Sequence, residues 1–511
     1  MMGRLLSVGG FTLLSRITGF GRDIVMAAVL GSGPMSDAFL VALRLPNSFR
    51  AIFGEGAFNA AFVQRFAKVK TQEGPKAAAD FASRVFSWQM AAQIVLLAVA
   101  LVAMDWIVRA LAPGFVARPE QLDLAVRLSR IAFPYLIMTV VAIQLSAMLN
   151  ANGKFAAAAA WSLFLNIAMM GTLACAAWFP NAAYAAAWGV FLAGIMQLVF
   201  IVWAAAREGL HLRIKRLRWT PDMRDFMRAL GAATFGSASV QILLFVDTLI
   251  ASFLPAGALT ALYYADRINQ LPMGTLGIAL GTVLLPEMST RLAQKDDAAA
   301  HAAQNRAAAL GLLFTLPFVA AYFAVPLTIM RGLFAHGAFQ LDAAELAAAA
   351  LMAYGIGLPA FVLIRVIAPS FYARGDTASP VRATVISVLV NIALKFAFVW
   401  GLGFGAAGLA LGTSLAIWVN VGVLIAMARS RGLLVIDGTL RRAIGPSLLA
   451  AAATGAAALG GVALADALAP NDLMRLVCAV LSGGLAYGGV VLLFRRKLPL
   501  GRLALGRPAR P

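Results

Sequence analysis

Apolar runs of about twenty residues, separated by short polar connections, recur from one end of this chain to the other. An α-helix of about 20 such residues crosses the hydrocarbon of a bilayer, and a helix satisfies its own backbone hydrogen bonds there. That ruler predicts fourteen helices, near 5–31, 36–64, 85–110, 123–150, 155–179, 183–206, 226–254, 259–290, 307–333, 343–372, 380–402, 406–428, 443–466 and 473–494. Only 13% of the 511 residues are charged and 61% are hydrophobic, whereas soluble domains run near 25% charged. The expected class is an all-α polytopic membrane protein. Arg4 followed by an apolar run superficially resembles a signal peptide. Arg16, Arg22 and Asp23 interrupt that run and no small-residue cleavage site follows, so it reads as a retained first helix.

The distribution of Lys and Arg tests the helix count. Of 42 in the chain, 29 fall in one alternating set of connections, 4 in the other (Arg109, Arg118, Arg331, Arg475) and 9 within the helices. The positive-inside rule then predicts that both termini are cytoplasmic. The net charge of +20 is thereby a topology signal and calls for no nucleic acid. On the sparse side, Asp105 to Gln121 mixes aromatics with cations and suits a segment lying in the interface. On the rich side, Arg207 to Arg228 is the longest basic connection, which attraction to anionic lipid headgroups would explain.

A weak internal repeat sets the expected domains. Leu45-Pro46 matches Leu271-Pro272, Leu149 to Lys154 corresponds to Phe371 to Asp376, and Asn166-Ile167-Ala168 returns as Asn391-Ile392-Ala393. Six helices per half make the halves parallel repeats. The expected lobes are 1–218 and 219–440, with two additional helices and a basic tail in 441–511.

The stretch from Phe11 to Phe62 carries Arg16, Arg22, Asp23, Asp37, Arg44, Arg50 and Glu55 among residues otherwise fit for lipid. Seven such groups facing hydrocarbon would cost about 20 kcal/mol, at roughly 2.5–3.5 kcal/mol each. They are expected to line a wet, net positive cavity suited to an anionic passenger. Arg favours phosphate because its planar fork bonds two oxygens and stays charged. Arg16 and Asp23 share one helix face, with Gly19 and Gly21 between them loosening the helix or admitting another backbone. Asp37 and Arg44 are likewise seven apart, and Pro46 is expected to kink the second helix. The alternative is internal pairing, such as Arg22 with Asp37 or Arg50 with Glu55, and Arg44 suits that reading as well. Arg267 offers a cation from the other half, with Asp266 as its local neighbour. Arg127, Arg130 and Arg365 suit snorkelling or structural pairing. Asp247 and Lys395 form either a structural pair or, with Asn391, part of a site for Na⁺ or H⁺.

Enzymatic signatures are missing from the sequence: it has no Walker loop, HExxH or GxSxG. The three His are far apart and suggest no metal site, and Cys175 and Cys478 sit in apolar runs and suggest no disulfide. No cofactor is expected.

Several of these motifs resemble the MurJ (MviN) family of lipid II flippases: Ser15 to Asp23, Ser36 to Phe39, Leu45-Pro46-Asn47, Ile52 to Phe58, Tyr263 to Arg267, Ala279 to Pro286 and Ala368 to Arg374. The resemblance implies the multidrug/oligosaccharidyl-lipid/polysaccharide exporter fold, with two six-helix lobes about a central cavity. It also implies a lipid-tail groove on the last two helices. The substrate-binding set it implies is Arg16, Arg22, Asp23, Asp37, Asn47, Arg50, Glu55 and Arg267. Lys395 beside Asn391 departs from the acidic or polar cation site expected there. The implied activity is translocation of lipid II by a monomer in the bacterial plasma membrane through alternating access, driven by membrane potential or an ion gradient. Rival readings are a flippase for another polyprenyl-linked oligosaccharide, a drug/cation antiporter of the same superfamily, and a membrane scaffold.

Overall fold

A computed structural model describes residues 2–53, 57–468 and 471–499. Every regular element among them is helical. The chain divides into two compact units, Met1–Leu259 with Gly337–Phe339, and Thr260–His336 with Gln340–Pro511.

The first unit holds α1 (Met2–Leu30), α2 (Pro34–Phe53), α3 (Ala57–Glu73), α4 (Pro75–Leu111), α5 (Pro119–Ala132), α6 (Tyr135–Ala151), α7 (Phe155–Ala160), α8 (Leu163–Ala174), α9 (Ala182–Arg207) and α10 (Pro221–Ser252). The boundary between units falls in the first turn of α11 (Ala258–Pro272). The second unit continues with α12 (Ile278–Ala293), α13 (Asp297–Ala324), α14 (Pro326–Phe334), α15 (Leu341–Tyr372), α16 (Ala378–Phe396), α17 (Gly405–Ser430), α18 (Gly438–Leu468) and α19 (Asp472–Leu493).

Eleven helical segments among the described residues are long and apolar enough to cross a membrane, against the fourteen expected. Two of the three expected spans outside that number are helical but polar, α1 with Arg16, Arg22 and Asp23, and α2 with Asp37, Arg44 and Arg50. The third is α10, of which Gln241–Ser252 is an apolar stretch among the described residues. Several boundaries also differ. α4 begins ten residues earlier than expected, at Pro75, and its 37 residues span about 55 Å, well beyond a hydrocarbon core of about 30 Å. A π-helical turn at Met273–Gly277, just after Pro272, separates α11 from α12.

α10 was expected to open the second lobe, but its packing places it in the first unit. Phe226 meets Phe58, Phe62 and Phe81 edge-on at 5.9–6.4 Å, and those three rings stack in turn. Arg65 of α3 pairs with Asp222, and with Asp225 at 3.3 Å. At the far end of α10, Gly114 N–H donates to Ser252 Oγ (2.9 Å) and Arg118 Nη2 donates to the Leu254 carbonyl (2.6 Å). These bonds tie the 105–121 segment, expected to lie in the interface, to the end of α10. Trp106 is exposed, but Phe115 is 1% exposed and the turn braces α10.

The repeat is visible in backbone geometry. After α6, Lys154 N–H donates to Leu149 O (2.9 Å) across Gly153 at φ +75°. After α15, Asp376 N–H donates to Phe371 O (3.0 Å) across Gly375 at φ +78°. Both are Schellman stops, in which a left-handed residue lets the chain satisfy the last helical carbonyls. Asp376 then turns to the next helix, and bonding from Ser379 holds its carboxyl low, at about 2. At the same offset, one pair of positions is bridged by glutamine in both units. Gln144 of α6 donates to Ala82 O of α4 (2.8 Å), and Gln304 of α13 donates to Val366 O of α15 (3.2 Å). The glutamine has changed partner helix while the bridge remains.

The four cations of the sparse connections are all tied down. Arg109 pairs with Asp105 (2.6 Å), Arg118 holds the Leu254 carbonyl, and Arg331 and Arg475 share Asp472 at 3.0–3.1 Å. α18 and α19 approach closely at Gly461, where a Cβ would press on the Cys478 carbonyl.

Replacing Gly153 or Gly375 by Ala should destabilise the protein by roughly 1–2 kcal/mol each, the cost of a left-handed L-residue. Thermal unfolding of the purified variants should show two lowered and similar midpoints; an unshifted midpoint in either would break the equivalence of the turns.

Candidate functional site

α1 and α8 build the best-defined polar constellation in the first unit. Arg22 donates from Nη2 and Nε to Asp23 Oδ1 (2.7 and 3.1 Å), and from Nη1 to Asn166 Oδ1 (3.2 Å). Asn166 in turn donates from Nδ2 to Ser15 O (3.1 Å) and Thr18 Oγ1 (3.0 Å). One amide side chain thus clamps α1 while orienting the guanidinium. Arg22 and Asp23 are both buried, which strengthens an ion pair while raising the cost of leaving either member alone. Gly19 faces the Asn166 side chain at 3.5 Å, and Gly21 has open space around it. The helix runs unbroken through both glycines, so neither loosens it.

Arg16 is exposed and carries no hydrogen bond or ion pair among the described residues. It sits six residues before Arg22, between Ser15 and Thr18. In α2, Asp37 is buried and accepts from Gly257 N–H (2.7 Å), tying the start of α2 to the turn after α10. Gly257 has φ +91°, a conformation that suits glycine. Arg44 donates from Nε to Thr248 Oγ1 of α10 (3.1 Å), a neutral partner that leaves its charge intact. Asn47 and Arg50 are half-buried in the last turns of α2, which continues as a helix through Pro46. Glu55 lies outside the described residues, and with it the expected pairing with Arg50.

In the second unit, Arg267 lies over the Tyr263 ring at 4.7 Å and donates from Nη2 to its hydroxyl (2.9 Å). Tyr263 is one helical turn earlier on α11, so it presents both a π face and an acceptor to the same guanidinium. Asp266, expected beside Arg267, accepts from Gln270. Lys395 is 1% exposed in α16, and Gly412 of α17 packs directly on its stem and backbone. Asn391, one turn earlier, is buried, with its Oδ1 lacking a hydrogen-bond partner among the described residues. Asp247 is half-buried in α10, in the first unit. Arg127 pairs with Asp123 (2.8 Å), and Arg365 lies over Phe361 (5.3 Å).

Sequence reasoning named the charged groups but missed three of the neutral side chains that place them: Asn166, Thr248 and Tyr263. Asn166 and Tyr263 stood in recognised motifs, yet neither was given a role. Thr248 carried no sequence signal, because the reach of α10 to α2 is a tertiary fact.

The family model for lipid II flippase MurJ matches residues 26–478. The chain belongs to the MurJ family. Among MurJ relatives, a probable lipid II flippase MurJ of Rhizobium tropici is 40% identical over 458 residues, covering 88% of this chain and 85% of its own. The lipid II flippase MurJ of Burkholderia cenocepacia is 34% identical over 444 residues, with 84% of each chain covered. A solved MurJ structure, in an inward closed conformation, superposes with a TM-score of 0.77 at 25% identity, covering 96% of this chain and 99% of that one. An inward-facing multidrug transporter of the MATE family, in the MOP superfamily, shares the fold at a TM-score of 0.69 and 15% identity, over 82% of this chain and 95% of its own. The family match runs from the last turns of α1 into the first two turns of α19.

Asn166→Ala should remove two anchors of α1 and one acceptor of Arg22, each charged hydrogen bond being worth roughly 1.5–3 kcal/mol. Complementation of a strain depleted of its own MurJ should fall at least tenfold at unchanged membrane abundance. Asn391→Leu, which removes a buried carbonyl oxygen without a described partner, should retain complementation; its loss would instead support a cation at that position.

Proposed function

We propose that this protein moves lipid II from the inner to the outer leaflet of the bacterial plasma membrane by alternating access of two lobes. Family membership supports the substrate. The observation that carries the chemistry is Arg16, an exposed guanidinium without an acidic partner among the described residues, six positions from the anchored Arg22. A cation held there is stable only against water or an anion, and a lipid-linked diphosphate supplies the anion. Arg50 and Arg267 complete the proposed cationic set, with Asp23, Asp37, Asn47 and Glu55 shaping it. Under this reading α1, α2–α3 and α10 also cross the membrane around a wet interior, giving fourteen spans with both termini cytoplasmic.

The polyprenyl tail is assigned to α18 and α19. Their outer faces expose Leu448, Leu459, Leu464, Val480, Leu481, Leu485 and Leu492, a surface that matches an isoprenoid chain in lipid. The protein's own residues bind and release; no bond is made or broken, and the monomer suffices.

An inside-negative potential favours outward passage of an anion by about 2.3 kcal/mol per charge per 100 mV, and favours inward return of the emptied cationic site. Lys395, one turn from Asn391, opposes a cation there, which supports the potential over Na⁺ or H⁺ coupling. A drug/cation antiporter would need an acidic site for its cargo, and the excess of Arg in α1 and α2 disfavours it.

Arg16→Lys and Arg22→Lys keep the charge but lose the two-oxygen fork, and each should lower flipping at least tenfold with expression intact. The assay is depletion of the protein followed by measurement of which lipid-linked precursor accumulates on the inner leaflet. Accumulation of a different precursor would reassign the substrate. Collapsing the potential in cells should stall flipping, and undiminished flipping would remove the potential as the drive.

A further inference from the structure

The connection from Glu208 to Thr220, between α9 and α10, has no regular structure but a fixed course along α4. Arg213 N–H donates to Ser83 Oγ (3.3 Å) and Lys215 N–H to Ser87 Oγ (2.8 Å). Alternate residues of this extended strap therefore face α4, and the Lys215 ammonium is held by Asp80. The outer side of the strap is open: Ile214 is 83% exposed, and the Arg213, Arg216, Leu217 and Arg218 side chains are exposed too. Arg216 and Arg218 make no ion pair among the described residues. The strap ends where the Trp88 indole N–H reaches the Arg218 carbonyl (3.4 Å) and its ring meets Trp219 edge-on at 5.4 Å.

Trp88 also starts an apolar groove of about 540 Å³ on the outer face of α4, lined by Ala91, Ala92, Val95, Leu96 and Val99. These positions follow the helical three–four spacing and form one stripe. From Trp88 to Val99 the helix rises about 16 Å, close to the roughly 15 Å thickness of one leaflet's hydrocarbon. A ladder of guanidinium groups thus adjoins a trough one acyl chain long, with two indoles at the junction, where such rings settle between headgroup and chain.

We infer that the strap and the α4 groove form a binding site for one anionic phospholipid. Its phosphate-bearing headgroup lies against Arg213, Arg216 and Arg218, and one acyl chain lies along Trp88 to Val99. Charge complementarity selects the occupant: a zwitterionic lipid would fill the groove but gain little from three cations, whereas each arginine is worth about a fivefold preference for an anionic headgroup. The site requires only residence in a membrane and is independent of the transported substrate. Anchored there, lipid would fix the connection that joins α9 to α10.

The test is native mass spectrometry of the full-length protein released from mixed micelles of phosphatidylglycerol and phosphatidylcholine. The wild type should retain at least one phosphatidylglycerol with a tenfold or greater preference over phosphatidylcholine. The triple variant Arg213→Gln, Arg216→Gln, Arg218→Gln should fall to twofold or less, while Arg441→Gln with Arg442→Gln, on a different connection, should leave the preference intact. Ala92→Trp keeps every charge, fills the groove, and should release the retained lipid, so the inference can be judged even if the triple variant fails to fold. Equal retention of the two lipids by the wild type, an unchanged preference in the triple variant, or an unchanged retention in Ala92→Trp would overturn it, as would an equal loss on neutralising Arg441 and Arg442.

Discussion

A guanidinium in hydrocarbon has to be answered by a counter-charge, a polar partner or water, and that requirement shapes the first unit more than any apolar contact does. Arg22 is answered twice, by the adjacent Asp23 and by the amide of Asn166. Asp23 balances the charge of Arg22, while the other end of the amide pins α1 through Ser15 and Thr18. Arg44 is answered by the Thr248 hydroxyl, here without neutralisation. The bonds that orient Arg22 and those that pack α1 on α8 are therefore shared, through Asn166.

The same economy explains why α1 and α2 fall short on apolarity. They give up apolar residues for charged ones, and α2 is held to α10 and the turn after it where Arg44 meets Thr248 and Asp37 meets Gly257. Arg22, Asp37 and Arg44 each meet a polar partner in the protein, whereas Arg16 is exposed. α10 consequently packs with α2, α3 and α4, although the repeat assigns it to the other half. The repeat records equivalent backbone stops at Gly153 and Gly375, and packing records which surfaces need burial; the two divisions answer different physical questions.

Much of this was legible in the residues. Apolar runs located the helices to within several positions, because hydropathy follows directly from transfer to lipid. The charges of α1 and α2 were conspicuous for the same reason. What stayed hidden was partnership. Asp37 was offered as a mate for Arg22, and nothing in the sequence shows that it also accepts from Gly257 N–H. Nor does the sequence show that Phe115 is buried in a turn that holds Ser252 and Leu254. Backbone donors and acceptors leave no mark in a sequence. The start of α4 was misjudged for a different reason: Pro75 to Arg84 is helical but polar, so a ruler made from hydrocarbon thickness stops at the membrane and misses the helix beyond it.

Comparing the two repeats shows which parts of a duplicated frame are free to diverge. The Schellman turns and the glutamine bridges persist because a helix end or an interhelical contact must be satisfied in either copy. Asn166 and Asn391 occupy matched positions but not matched roles. The first organises a cationic helix; the second sits buried, its carbonyl oxygen without a described partner, one turn from a lysine packed against Gly412. A close approach of α16 to α17, permitted by that glycine, has taken the place of the polar clamp. The frame is shared, and the polar clamp on a charged helix is kept in one copy.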